Sequence, residues 1–145
     1  MTAKSRVAPV KTLTLPQLLL LGAVLGARMS NSLEASRAKV PSNVETIFSK
    51  NSRITQHWIT GNPSQWKQFV KNKVTEIHRL TARAQWRHCP GSCNPGYHLT
   101  RRVSLHILKT CERWWHGDTW LLNEPTDWPP EESQIGLKGV VEERE

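Results

Sequence analysis

The sequence predicts an α/β domain that is mainly helical, with two short parallel strands and a disordered acidic tail. At 145 residues the chain is long enough for one domain. Apolar residues recur at helical spacing in two long segments, and two short runs rich in β-branched or aromatic residues lie between helices. Strands that alternate with helices favour parallel pairing, so we expect the two strands to form a small parallel sheet.

The first helix is predicted near residues 15–30. Thr14 precedes the helix as a cap, Pro16 lies in its first turn, and Gln17 holds the capping-box position. The apolar run Leu18–Ala27 is too short to cross a bilayer, which takes roughly 20 residues. Because nearly every side of this helix is apolar, it needs burial on most sides in solution.

The same segment has an alternative interpretation as a signal peptide, which would make the chain a small basic secreted or membrane-associated protein. Lys4, Arg6 and Lys11 form a positive leader before an apolar stretch of suitable length, and a cut near Gly26/Ala27 is conceivable although no A-x-A motif precedes it. Three cysteines do not make a disulfide framework. The cysteine count therefore favours an intracellular protein over a secreted one.

The remaining elements follow in order. A strand is predicted near 43–48 and a second near 84–88, both from β-branched or aromatic residues. Between them, the run "NSRITQHWITG" indicates a short amphipathic turn that stops at glycine. The most regular pattern predicts a helix over 63–82, which opens with Asn62 as the cap and proline after it.

Charge is distributed unevenly along the chain. From Glu124 onward there are seven acidic residues and two basic ones, so of the totals of 12 and 20 the first 123 residues carry five acidic and 18 basic residues. A basic body of this kind suits a phosphate-rich partner, although a merely solvated charged surface stays open. The candidate nucleic-acid contacts are Lys67, Lys71, Lys73, Arg101 and Arg102.

Four stretches resemble a known family. They read "AKSRVAPVKTLTLPQLLLLGAVLGARM", "NSRITQHWITGNPSQWKQFVKNKVTEI", "WRHCPGSCNPGYHLTRR" and "RWWHGDTWL". Their order is similar to that in BEL/Pao-type retrotransposon polyproteins, in the ribonuclease-H-like segment behind the reverse transcriptase and its junction with the integrase region. The resemblance covers about Ala3 to Pro130. It implies a truncated ribonuclease-H-like domain over 1–103, a Trp-rich junction over 104–130 and a disordered acidic tail over 131–145.

The resemblance also implies where a catalytic site would lie. The family holds a pair of magnesium ions with acidic residues, because Mg²⁺ prefers hard oxygen ligands. Three of the acidic positions are occupied here by Leu19, Asn51 and Tyr97, and the aspartate of the family's first strand is expected upstream of Met1. We therefore expect a retrotransposon remnant with no catalysis, no cofactor and weak non-specific nucleic-acid binding, unless a longer product supplies the missing strands.

A metal site of another kind is a weaker alternative. His88, Cys89, Cys93 and His98 include a Cys-x3-Cys spacing within the loose range for zinc. Closed zinc sites usually show two well-spaced ligand pairs, and the same positions match a family turn that holds no metal. Loop residues are the preferred interpretation, and no metal site is predicted.

The aromatic residues and the first helix suggest contacts rather than chemistry. Trp58 beside His57 could stack on a base, but a packed tryptophan is the preferred interpretation. The tryptophans of the junction, Trp114, Trp115 and Trp120, are expected to pack rather than bind a ligand. Because the resemblance implies that most of the strands this helix would pack on are missing, we expect the Leu18–Ala27 face to be poorly covered and to cause self-association. We expect no membrane span and no small-molecule substrate.

Overall fold

A computed structural model describes residues 13–36, 46–81, 85–94, 96 and 103–128 of the chain. The described helices are α1 (Leu15–Ser36), α2 (Arg53–Thr60), α3 (Gln68–Leu80), α4 (Leu105–Thr110) and α5 (Glu112–His116), and the strands are β1 (Ile47–Lys50) and β2 (Gln85–His88). The described part of the chain is therefore mainly helical with one small sheet, as the sequence predicts.

The two strands pair in parallel, which confirms the predicted sheet. Phe48 stands opposite Trp86 in the register, and their rings stack with centroids 4.4 Å apart. The ladder continues past β2, because the amide of Cys89 donates to the carbonyl of Lys50 at 2.7 Å. β1 extends two residues beyond the predicted end at residue 48, and this extra pairing is the reason.

Helix α1 begins as the capping box predicts. The amide of Thr14 donates to Oε1 of Gln17 at 3.1 Å, and the amide of Gln17 donates to Oγ1 of Thr14 at 3.4 Å. The helix continues to Ser36, six residues past the predicted end, through a last turn whose residues with described side chains are exposed. Crossing a bilayer takes more length and apolar character than any helix in the described ranges has.

The predicted helix over 63–82 is divided in two. Asn62 caps a short 3-10 turn, its side chain accepting from the amide of Ser64, and Trp66 then takes an extended backbone with φ −98° before α3 starts. The indole of Trp66 is buried and donates to the carbonyl of Trp58 at 3.1 Å. Gly61 leaves the space for this ring, since a Cβ there would lie 2.7 Å from it.

The core lies between one face of α1 and helices α2 and α3. Its buried residues are Leu20, Ala23, Val24, Ala27, Trp58, Ile59, Trp66, Val70, Val74 and Ile77. The expectation that Leu18–Ala27 would be poorly covered is therefore wrong for this half of the helix. The opposite side, which we name the outer face of α1, is exposed or half-buried and consists of Leu15, Leu18, Gly22, Leu25, Met29 and Leu33.

The end of the described C-terminal segment contacts the sheet through an aromatic side chain. The guanidinium of Arg87 on β2 lies 4.9 Å from the ring centroid of Trp128, which meets Trp120 edge-on at 5.5 Å. Trp120 thus packs as predicted, whereas Trp115 is 57% exposed. Buried Asp118 pairs with Arg113 at 2.6 Å. The predicted tail over 131–145 lies outside the described residues.

Candidate functional site

The carboxyl end of β1 meets the first turns of α1 and α2. Ser52 caps α2, its hydroxyl accepting from the amide of Thr55 at 3.3 Å. The buried hydroxyl of Thr55 lies 3.1 Å from that of Ser52 and 3.5 Å from the carbonyl of Pro16 on α1. Two helices and one strand end therefore converge on a single spot.

Lys50 is the charged group at this spot. As the last residue of β1, it directs its Nζ to the carbonyl of Leu19 on α1, at 2.6 Å. Helix geometry already gives that carbonyl the amide of Ala23, so the lysine takes its second lone pair. Burial lowers the pKa of Lys50 from 10.5 to about 8, because the ammonium loses hydration there.

The resemblance assigns acidic residues to three positions, and two of these positions lie next to Lys50. Leu19 supplies the carbonyl that Lys50 binds, and Asn51 follows Lys50 directly in the chain. We name Leu19, Lys50 and Asn51 the strand-end site. Tyr97, the third position, lies outside the described residues.

The comparisons with known proteins bear on this same region. Residues 1–51 match the Pao retrotransposon-like RNaseH-like domain. Over its first 51 residues the chain is therefore similar to that family. Searches among curated proteins and among solved structures found no match. All of the strand-end site lies inside the matched range.

The signal-peptide alternative gains no support from these findings. The match to the Pao-type segment includes both the basic leader and the apolar run that the alternative would remove. Helix α1 passes without interruption through Gly26 and Ala27, and Ala27 is fully buried in the core. A cut there would divide a helix that packs on α3.

The side chains of the strand-end site do not fit a pair of divalent ions. Such ions are held by several carboxylates, whereas this site offers an aliphatic side chain, an amide and an ammonium. Throughout the described ranges, no group of three or more His, Cys, Asp or Glu side chains could hold a metal ion. The site is cationic where the family's site is anionic.

The predicted nucleic-acid contacts separate into two groups. Lys67 and Lys71 are four residues apart at the start of α3, so they lie on one side of it. Lys73 lies on another side, where its Nζ is 4.0 Å from Glu76, whose carboxylate also pairs with Arg28 of α1 at 2.5 Å. Arg101 and Arg102 lie outside the described residues.

The remaining candidates occupy structural positions. Burial, with the nearby Asp118 and Cys93, raises the pKa of Cys89 to about 11, which disfavours the thiolate that zinc binds. His88 is half-buried at the end of β2, and His98 lies outside the described residues. Trp58 is 1% exposed, so the packed interpretation is confirmed and base stacking on this ring is wrong.

Sequence reasoning missed Lys50. A lysine at the end of a strand usually projects into solvent, and its partner here is a backbone carbonyl 31 residues earlier. Backbone groups leave no trace in a side-chain pattern. The one available signal was its place directly before Asn51, a position that the resemblance had already marked.

Proposed function

We propose that the chain is a catalytically inactive ribonuclease-H-like segment of retrotransposon origin. The observation that carries the proposal is the contact between Lys50 Nζ and the Leu19 carbonyl, which puts a cation among the positions that the resemblance assigns to carboxylates. Two-metal hydrolysis needs ions held at fixed separation by anionic ligands, since the ions activate water and stabilise the leaving oxygen. A leucine and an asparagine supply no anionic ligand.

A hybrid-cleavage assay tests this proposal. We expect no cleavage of an RNA–DNA hybrid by the native chain with Mg²⁺ or Mn²⁺, and none after Leu19→Glu, Asn51→Asp and Tyr97→Asp are combined. An active ribonuclease H serves as the positive control on the same hybrid. A metal-dependent cleavage activity that co-purifies with the native protein would refute the proposal.

We further propose that the basic body binds nucleic acid weakly and without sequence preference. Eighteen basic residues against five acidic ones in the first 123 residues support this, because phosphate contacts need charge rather than base-specific geometry. Within the helix, Lys67 and Lys71 share one side of α3, while Glu76 offsets the charge of Lys73. Two positive charges on the same side of the helix make Lys67 and Lys71 the stronger candidates.

The binding proposal is tested by fluorescence anisotropy with a labelled single strand and a labelled duplex. We expect affinity to fall steeply as salt rises, since each phosphate contact releases counterions. Lys67→Ala with Lys71→Ala should weaken binding more than Lys73→Ala, which removes a charge that Glu76 already offsets. Salt-independent binding, or equal effects of the two variants, would contradict the proposal.

A further inference from the structure

The strand-end site holds a positive charge that the proposed function leaves unexplained. Lys50 is half-buried, and its Nζ donates a 2.6 Å hydrogen bond to the carbonyl of Leu19. An exposed lysine would cost less free energy, because burying an ammonium removes its hydration. This charge lies where the starts of α1 and α2 meet the end of β1, so it affects which ions can bind there.

We propose that Lys50 is the resident cation of the strand-end site and excludes divalent metal ions from it, even where carboxylates are supplied. The inference rests on the proposed function, since it takes the site as the place where the family's ions would lie. It adds that the lost carboxylates are only part of the reason that metal does not bind. The lysine is the other part.

The first argument is electrostatic. A divalent ion bound beside Leu19 and Asn51 would lie close to the Lys50 ammonium, and the repulsion between like charges is strengthened where burial excludes part of the water. The amino end of α2 begins two residues after Asn51, and the dipole of that helix adds positive potential on the same side. Both fields oppose a second cation.

The second argument concerns ligands. The carbonyl of Leu19 has both lone pairs engaged, one by the helix and one by Lys50, so it is not available to an ion. The half-buried side chain of Leu19 lies about 40° around α1 from that of Ala23, and it belongs to the residue whose carbonyl Lys50 binds. A glutamate introduced there would pair with the ammonium before it met a metal ion.

The experiment compares Mn²⁺ affinity in three variants by electron paramagnetic resonance of the free ion. The acidic pair Leu19→Glu with Asn51→Asp is measured alone, with Lys50→Met, and with Lys50→Arg. Methionine keeps the length of the side chain and removes the charge, whereas arginine keeps the charge. Circular dichroism at 222 nm checks that each variant retains its helices.

We expect Lys50→Met to tighten Mn²⁺ binding to the acidic pair by at least about tenfold, and Lys50→Arg to leave it weak. Equal affinity with methionine and with lysine would overturn the inference, and so would the absence of binding in all three variants, since Lys50 would then not be what excludes the ion. Cleavage by the native chain would refute the proposed function without altering this affinity ratio, so the two failures can be told apart.

Discussion

Replacing Lys50 with methionine should stabilise the protein at neutral pH and remove a specific pH dependence. The pKa of Lys50 falls from 10.5 to about 8 through burial, so the folded protein holds this proton more weakly than the unfolded chain does. At about 1.4 kcal/mol for each tenfold change, the full effect on the free energy of unfolding is about 3 kcal/mol. That free energy should rise with pH between about 8 and 10.5, where the folded lysine is neutral and the unfolded one is charged.

Lys50→Met abolishes the cost of burying the charge but also the hydrogen bond to the Leu19 carbonyl, which is worth about 1 kcal/mol. That carbonyl keeps its helix partner, so no acceptor is left unsatisfied. The expected net gain at pH 7 is therefore about 1–2 kcal/mol. Urea denaturation followed by circular dichroism from pH 6 to pH 10.5 measures both the gain and the pH dependence.

The free energy of unfolding is plotted against pH for the native chain and for the Lys50→Met variant. The difference between these two curves separates the contribution of Lys50 from that of other groups that titrate in this range. Lys109→Met is the matched control, because Lys109 is exposed on α4 and its replacement should change neither the stability at pH 7 nor the slope. The reasoning from burial is refuted if the Lys50→Met variant is no more stable than the native chain at pH 7. It is also refuted if the free energy of unfolding of the variant rises with pH by the same amount as that of the native chain.

Three further outcomes are expected. Gly61→Ala should lower the free energy of unfolding by about 1–3 kcal/mol, because its Cβ meets the Trp66 ring at 2.7 Å, whereas Gly22→Ala, which meets nothing within 4 Å, should raise it by up to about 1 kcal/mol; urea denaturation measures both. Deleting residues 124–145 should tighten nucleic-acid binding in the anisotropy assay, since acidic residues compete for the basic body, and unchanged affinity would contradict this. The outer face of α1 should cause self-association, visible by analytical ultracentrifugation and reduced by Leu15→Lys with Leu33→Lys; a monomer at all concentrations would exclude it.

The helices and the sheet were predictable where their signals are local. The reciprocal hydrogen bonds of Thr14 and Gln17 use only neighbouring residues, and the structure confirms the start of α1. The start of α3 was not predictable, because Asn62 caps a 3-10 turn and Trp66 then leaves the helical path to bury its indole against α2. That choice depends on Gly61 and on the carbonyl of Trp58, which meet the ring only in the folded chain.

The strand-end site was predictable by position and not by chemistry. The resemblance assigned Leu19 and Asn51 to positions of the same catalytic site. In the structure, the carbonyl of Leu19 and the residue Asn51 both lie at the end of β1. The contact of Lys50 with α1 could not be predicted in the same way. A leucine and an asparagine at these positions predict a site without charge. In the folded chain, the Lys50 ammonium donates a hydrogen bond to the backbone of α1 there.

The strand-end site also shows why an apolar helix can lie beside the end of a charged strand. Several carboxylates gathered without a metal ion would repel one another and destabilise the convergence of α1, β1 and α2. Leu19 and Asn51 remove that repulsion, and the Lys50 hydrogen bond then links β1 directly to α1. The Lys50 side chain, which would oppose a metal ion, thus also joins two residues that lie 31 positions apart in the sequence. A leucine and an asparagine at this place are thus compatible with the packing of α1, β1 and α2 for a physical reason.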